Sequence, residues 1–135
     1  GHCFVLQPRG TTGYCHRIIC AQDYSAVTAA CMMVKRSAFE EVGGLTEELA
    51  VAFNDIDFCM KLRTAGYLIV YNPYAELYHY ESKSRGLEDT PEKVARFNKE
   101  IQIFERRWPD IMRDGDPYYN PNLTLKSQDF SLKRI

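Results

Sequence analysis

An excess of charge of either sign is missing from this chain. Seventeen Lys and Arg stand against 18 Asp and Glu, a formal net charge of −1. That balance gives no electrostatic case for wrapping nucleic acid, which needs a clustered basic face. Long apolar runs are missing too: none approaches the roughly 20 residues of a membrane helix. No signal peptide opens the chain, and its first residues are Gly1-His2 rather than Met, which leads us to expect a segment of a longer protein. Five cysteines are present, but no C-x-x-C pair. Their spacings of 12, 5, 11 and 28 residues do not supply the close pairs that a zinc site needs. Small buried thiols in a reducing compartment are expected instead. A phosphate-binding loop is also lacking, because Gly10-Thr11-Thr12-Gly13 has neither the lysine nor the spacing.

What is present is ordinary globular material. Hydrophobic residues make up 45% of 135 residues, enough for one domain with a modest core. Residues 28–35, TAACMMVK, suit a buried strand or tight core segment. Ser37 with Glu40 has the spacing of a capping box opening a short helix, which Gly43-Gly44 ends. Thr46-Glu47-Glu48 suits a turn. Residues 55–65 carry helical spacing, with Asn54 as the expected N-cap, Asp55 and Asp57 in the first turn, and Gly66 as the stop. Residues 67–71, YLIVY, and 76–80, ELYHY, are expected strands. Residues 82–90 form an expected loop. Thr90-Pro91 starts the longest helix, whose stripe of Val94, Phe97, Ile101, Phe104 and Trp108 precedes Pro109. The stretch after it, rich in Asp, Asn, Pro and Tyr, is expected to be an extended tail that packs rather than folds alone.

Three features can carry chemistry: the NDID box at 54–57, His79, and the loop Ser82 to Gly86. A carboxylate on the first turn of a rigid helix could take a proton from a hydroxyl. It could equally do no more than cap the helix. His79 could be a metal ligand through neutral imidazole or a half-buried ring satisfied by backbone. The loop, with its hydroxyls and Arg85, could close on a diphosphate or simply be solvated.

Their order decides between these options. The runs AACMMVKRSAFEEVGGLTEEL and NDIDFCMKLRTAGYLIVYNPYAELYHYESKSRG resemble the C-terminal half of family 2 glycosyltransferases, inverting enzymes of the GT-A fold. The resemblance covers residues 24–108. It runs through VKRSAFEEVGGLTEE, the acidic box, the helix end Arg63-Thr64-Ala65-Gly66-Tyr67 and the turn Pro73-Tyr74-Ala75. It implies an α/β fold, the C-terminal portion of a Rossmann-like nucleotide-sugar transferase with a short mixed sheet and flanking helices. Residues 1–110 would be the acceptor-side half of that domain and 111–135 a C-terminal tail. Asp55 is implied as general base and His79 as a ligand of a divalent metal, Mn or Mg. Ser82, Ser84 and Arg85 are implied as the loop covering the nucleotide diphosphate. Where such boxes begin with an acidic residue this chain has Asn54, which removes one negative charge beside Asp55.

The resemblance further implies transfer of a sugar from a nucleotide-diphosphate sugar to a hydroxyl of a glycan or lipid-linked acceptor. The bacterial setting would be cell-surface polysaccharide synthesis, in the cytoplasm or at the inner face of the membrane. Residues 1–53 hold one aspartate, Asp23, so no donor-side Asp-x-Asp precedes the box. A complete domain of this kind needs on the order of 200 residues or more. The isolated chain is therefore expected to be a fragment that turns over no donor and self-associates through cut sheet edges. The alternatives are a non-catalytic carbohydrate-binding or scaffold domain, for which the 13% aromatic content would suit sugar stacking, and a small α/β domain of unrelated function.

Overall fold

The computed structural model describes residues 3–4, 7–80, 90–127 and 130–134. The fold is mixed α/β: four helices and one short antiparallel sheet among the described residues. Strand β1 is Gln22–Asp23 and β2 is Val70–Tyr71, paired Gln22 to Tyr71 and Asp23 to Val70. The expected run at 67–71 thus contributes two ladder residues, and the sheet is antiparallel rather than mixed. The expected strand at 76–80 is absent. Leu77, Tyr78 and Tyr80 stand 71–82% exposed, outside the described sheet.

The segment 28–35 is not a buried strand either. Thr28 caps a 3-10 turn, Ala29–Cys31, by accepting from the Ala30 N–H. The chain then runs extended, with Met32 and Val34 packed on the core and Met33 98% exposed. Alternation survives here without a paired neighbour, because no described strand lies alongside.

Helix α1, Arg36–Glu41, starts one residue before the expected cap. Ser37 therefore lies inside the first turn and caps nothing, while Glu40 accepts from Arg36 Nε at 2.7 Å, an i,i+4 pair. Gly44 ends this region at φ 64°. A Cβ there would meet the Phe39 ring at 2.9 Å, so both conformation and space demand glycine.

Helix α2, Asn54–Thr64, is capped by Phe53 at φ 64° and not by Asn54, which is its first helical residue. At the far end Gly66 N–H donates to Arg63 O and Tyr67 N–H to Leu62 O. That is the paired Schellman closure, with Gly66 in the left-handed region at φ 89°. Phe58, Cys59, Met60 and Leu62 of α2 are buried with Ala38 and Ile69, and Val27, Met32, Val34, Trp108 and Ile111 pack around them. Each fully buried side chain of this size contributes roughly 1.5–3 kcal/mol.

Helix α3, Pro91–Arg107, begins as the sequence indicates: Thr90 accepts from Lys93 N–H, and Pro91 is first. Its stripe is only partly covered, since Phe104 is buried while Val94 and Phe97 stay 40–45% exposed. Phe97 and Phe104 pack on the Phe53 ring. Pro109 ends α3 and also opens a further helix, α4, Pro109–Asp114, which crosses the expected 110/111 division. Beyond it the chain returns to the N-terminal segment. Phe130 is buried against Phe4, Tyr14 and Tyr119, and Arg17 donates to Tyr118 O while lying over the Tyr24 ring. Among the described residues no helix is long and apolar enough to cross a membrane.

Candidate active site

Asp55 sits in the first turn of α2, half-buried. Its Oδ2 accepts from the Ala29 N–H at 3.1 Å and its Oδ1 from the Ile56 N–H at 2.9 Å. Two backbone amides thus fix the carboxylate, one from its own helix and one from the 3-10 turn 26 residues earlier. Each carboxylate oxygen keeps a second lone pair. Asp55 is therefore held with acceptor capacity to spare, which a base on a rigid element requires.

Asp57, two residues on, points elsewhere. Successive helical residues turn by about 100°, so positions 55 and 57 face different sides of α2. Asp57 is wholly buried. It accepts from Thr46 Oγ1 at 2.6 Å, Arg107 Nε at 2.8 Å and Trp108 Nε1 at 2.9 Å, with Lys61 Nζ at 3.7 Å. Burial works against its charged form. The hydrogen bonds from Thr46, Trp108 and Arg107, with the Arg107 charge, outweigh it and hold the carboxyl below the ordinary aspartate range. Sequence reasoning gave Asp57 only a helix-dipole role. Its spacing from Asp55 was the available signal, since two such residues cannot share a face. Its partners come from 11 and about 50 residues away and carry no local mark.

Of the other expected site residues, only His79 lies among the described residues. His79 is exposed, outside the described strands, and no hydrogen bond or ion pair joins it to Asp55 among the described residues. Ser82, Ser84 and Arg85 lie outside the described residues. Among the described residues no group of three or more His, Cys, Asp or Glu side chains could hold a metal ion. Four of the five cysteines, expected to be buried, are exposed: Cys3, Cys15, Cys20 and Cys31. They lie in turns rather than in the core. Cys59 alone is buried, and burial pushes its thiol up from the ordinary value.

Comparison with known proteins adds what the geometry alone cannot. The chain is similar to an O-antigen biosynthesis protein and to a rhamnosyltransferase. It is 34% identical over 136 residues to O-antigen biosynthesis protein RfbC of Myxococcus xanthus, covering 99% of this chain and 10% of that protein. It is 37% identical over 78 residues to the N-acetylglucosaminyl-diphospho-decaprenol L-rhamnosyltransferase of Mycobacterium tuberculosis, covering 58% of this chain and 25% of that enzyme. An uncharacterised protein of Sinorhizobium fredii is 56% identical over 133 residues, 98% of this chain and 14% of its own length. The chain thus spans a quarter or less of the curated relatives it matches. No family model matches, and no solved structure matches.

Proposed function

We propose that this chain carries the acceptor side of the cleft of an inverting GT-A glycosyltransferase acting in cell-surface polysaccharide synthesis. The supporting observation is a carboxylate, Asp55, fixed by two backbone amides with acceptor capacity to spare, in a chain similar to a named rhamnosyltransferase. In the proposed reaction Asp55 takes the proton of the acceptor hydroxyl. The oxygen so activated forms a bond to the anomeric carbon on the face opposite the leaving group. The bond from that carbon to the nucleotide diphosphate breaks, and the diphosphate leaves with the electron pair. The acceptor is a glycan or a lipid-linked sugar, by analogy with the relatives' names. Ser82, Ser84 and Arg85 remain the proposed cover for the diphosphate. A divalent metal remains part of the proposal with His79 as one ligand, and no step is derived through it. The proposed setting is the cytoplasm and the inner face of the membrane.

The test is Asp55→Asn in the full-length protein. Nearly all transfer is lost, by a factor of about 100 to 10,000 in rate, while donor binding by calorimetry is unchanged. A near-normal rate removes Asp55 as the base. The alternative of a non-catalytic sugar-binding domain is favoured by one feature, the exposed tyrosines Tyr74, Tyr78 and Tyr80 around His79. It predicts that the unsubstituted full-length protein neither transfers nor hydrolyses donor sugar.

The fragment reading adds a further expectation. Leu68 and Val70, same-face neighbours around β2, are 66% and 57% exposed. The isolated chain should self-associate through such apolar edges, and light scattering that finds a clean monomer at high concentration counts against this.

A further inference from the structure

A groove of about 590 Å³ runs between α3 and the segment holding Glu48 and Ala50, and neither Asp55 nor His79 lines it. Its volume lies within the range of small-molecule sites, roughly 300–1,000 Å³. Arg96, Lys99, Glu100, Ile103, Arg106 and Arg107 project into it at helical spacings of three and four. Four cations therefore face two carboxylates, Glu100 and Glu48 at the rim, in a chain whose overall charge is −1.

The two carboxylates are not equivalent. Glu100 is buried, and its oxygens are turned to the loop before α2, accepting from the Val51 N–H at 3.3 Å and the Ala52 N–H at 2.7 Å. Those amides stabilise its charge, and Arg96 Nε stands 3.9 Å from its Oε1. Arg107 is likewise committed, to Asp57, and forms a fixed wall. Lys99 makes no hydrogen bond or ion pair among the described residues, and Arg106 uses only its Nε, on Gln102 O at 3.2 Å. The heads of Lys99 and Arg106 start two turns apart, about 10 Å along the axis, on either side of Ile103. Such a pair suits an anion with charge at both ends, and a guanidinium fork matches phosphoryl oxygens.

We infer that the α3 groove binds a diphosphate, held between Lys99 and Arg106 with Arg96 and Arg107 as flanking cations. The site is distinct from Asp55, because Asp57, the α2 residue bonded to Arg107, faces another side of that helix. The inference goes beyond the proposed transfer reaction and does not need it. The diphosphate can be free in solution or the headgroup of a polyprenyl lipid, and the chemistry recognised is the same.

Calorimetric titration of the 135-residue chain with inorganic diphosphate tests this. Saturable binding is expected that weakens with added salt and falls about tenfold for Lys99→Gln and again for Arg106→Gln. Both side chains are exposed, so the fold survives, and Arg113→Gln on α4 should leave the affinity unchanged. Flotation with phosphatidylcholine vesicles, plain or doped with a polyprenyl diphosphate, separates the sources. Capture by doped vesicles alone, lost in the double variant, assigns the lipid headgroup. Saturable binding of the free ion without vesicle capture assigns the soluble one. Absence of binding in both arms, binding indifferent to both substitutions, or tighter binding of an oligoglutamate than of diphosphate overturns the inference. Because Asp55→Asn leaves the groove intact, loss of transfer and loss of diphosphate binding report on separate claims.

Discussion

Replacing Asp57 by alanine should remove a large share of the chain's stability. The carboxylate is wholly buried and accepts three short hydrogen bonds that join the start of α2 to the turn at Thr46 and to the junction of α3 and α4. Removing it leaves the buried Thr46 hydroxyl and the half-buried Trp108 indole N–H without their acceptor, about 1–3 kcal/mol each. The Arg107 side chain is 38% exposed and can rehydrate, so its share is discounted. The expected loss is about 3–5 kcal/mol, the cost usually seen when one partner of a buried ion pair is removed. A domain of this size has about 5–15 kcal/mol in total. Urea unfolding followed by far-UV circular dichroism measures the loss, with fluorescence of Trp108, the only tryptophan, as a second probe. Asp57→Asn keeps the volume and loses the charge, so it should cost less at neutral pH. The sign of the pH effect follows from the lowered carboxyl. Its stabilisation is complete above the unfolded aspartate value of about 3.9 and is lost as pH falls through the lower folded value. The gap between wild type and Asp57→Asn should therefore close in acid. An Asp57→Ala loss below about 1 kcal/mol, or a gap that widens in acid, refutes the reasoning.

Glu100→Ala should free the Val51 and Ala52 amides, and hydrogen exchange at those two positions should speed up by at least tenfold while the interior of α2 keeps its protection. Gly44→Ala should destabilise by more than the roughly 1 kcal/mol typical of a left-handed position, because the added Cβ also meets the Phe39 ring at 2.9 Å. An unchanged melting temperature would show that this ring moves aside freely.

The strongest local signals in the sequence carried through to the structure. Thr90-Pro91 opens α3 because a hydroxyl acceptor and a donor-less first residue suit a helix start whatever lies around them. Gly66 closes α2 because only glycine takes that backbone at no cost, and the two closing hydrogen bonds lie within six residues. Asp55 in the first turn of α2 was legible for the same reason. Elements that need a distant partner were not. The segments 28–35 and 76–80 have strand composition, yet a strand exists only where another backbone supplies its ladder, and β1, the one partner found, has no strand signature in Gln22-Asp23. The cap expected at Ser37 falls two residues earlier, at Lys35, and that expected at Asn54 one residue earlier, at Phe53. What the sequence by itself determined is therefore helices α1, α2 and α3, but not α4, and the place of the candidate base on one of them. Only the tertiary structure decided what fixes that base, a backbone amide of Ala29, and that its neighbour Asp57 is a buried junction. Helical rotation divides the two carboxylates, and only folding brings Thr46, Arg107 and Trp108 to the second.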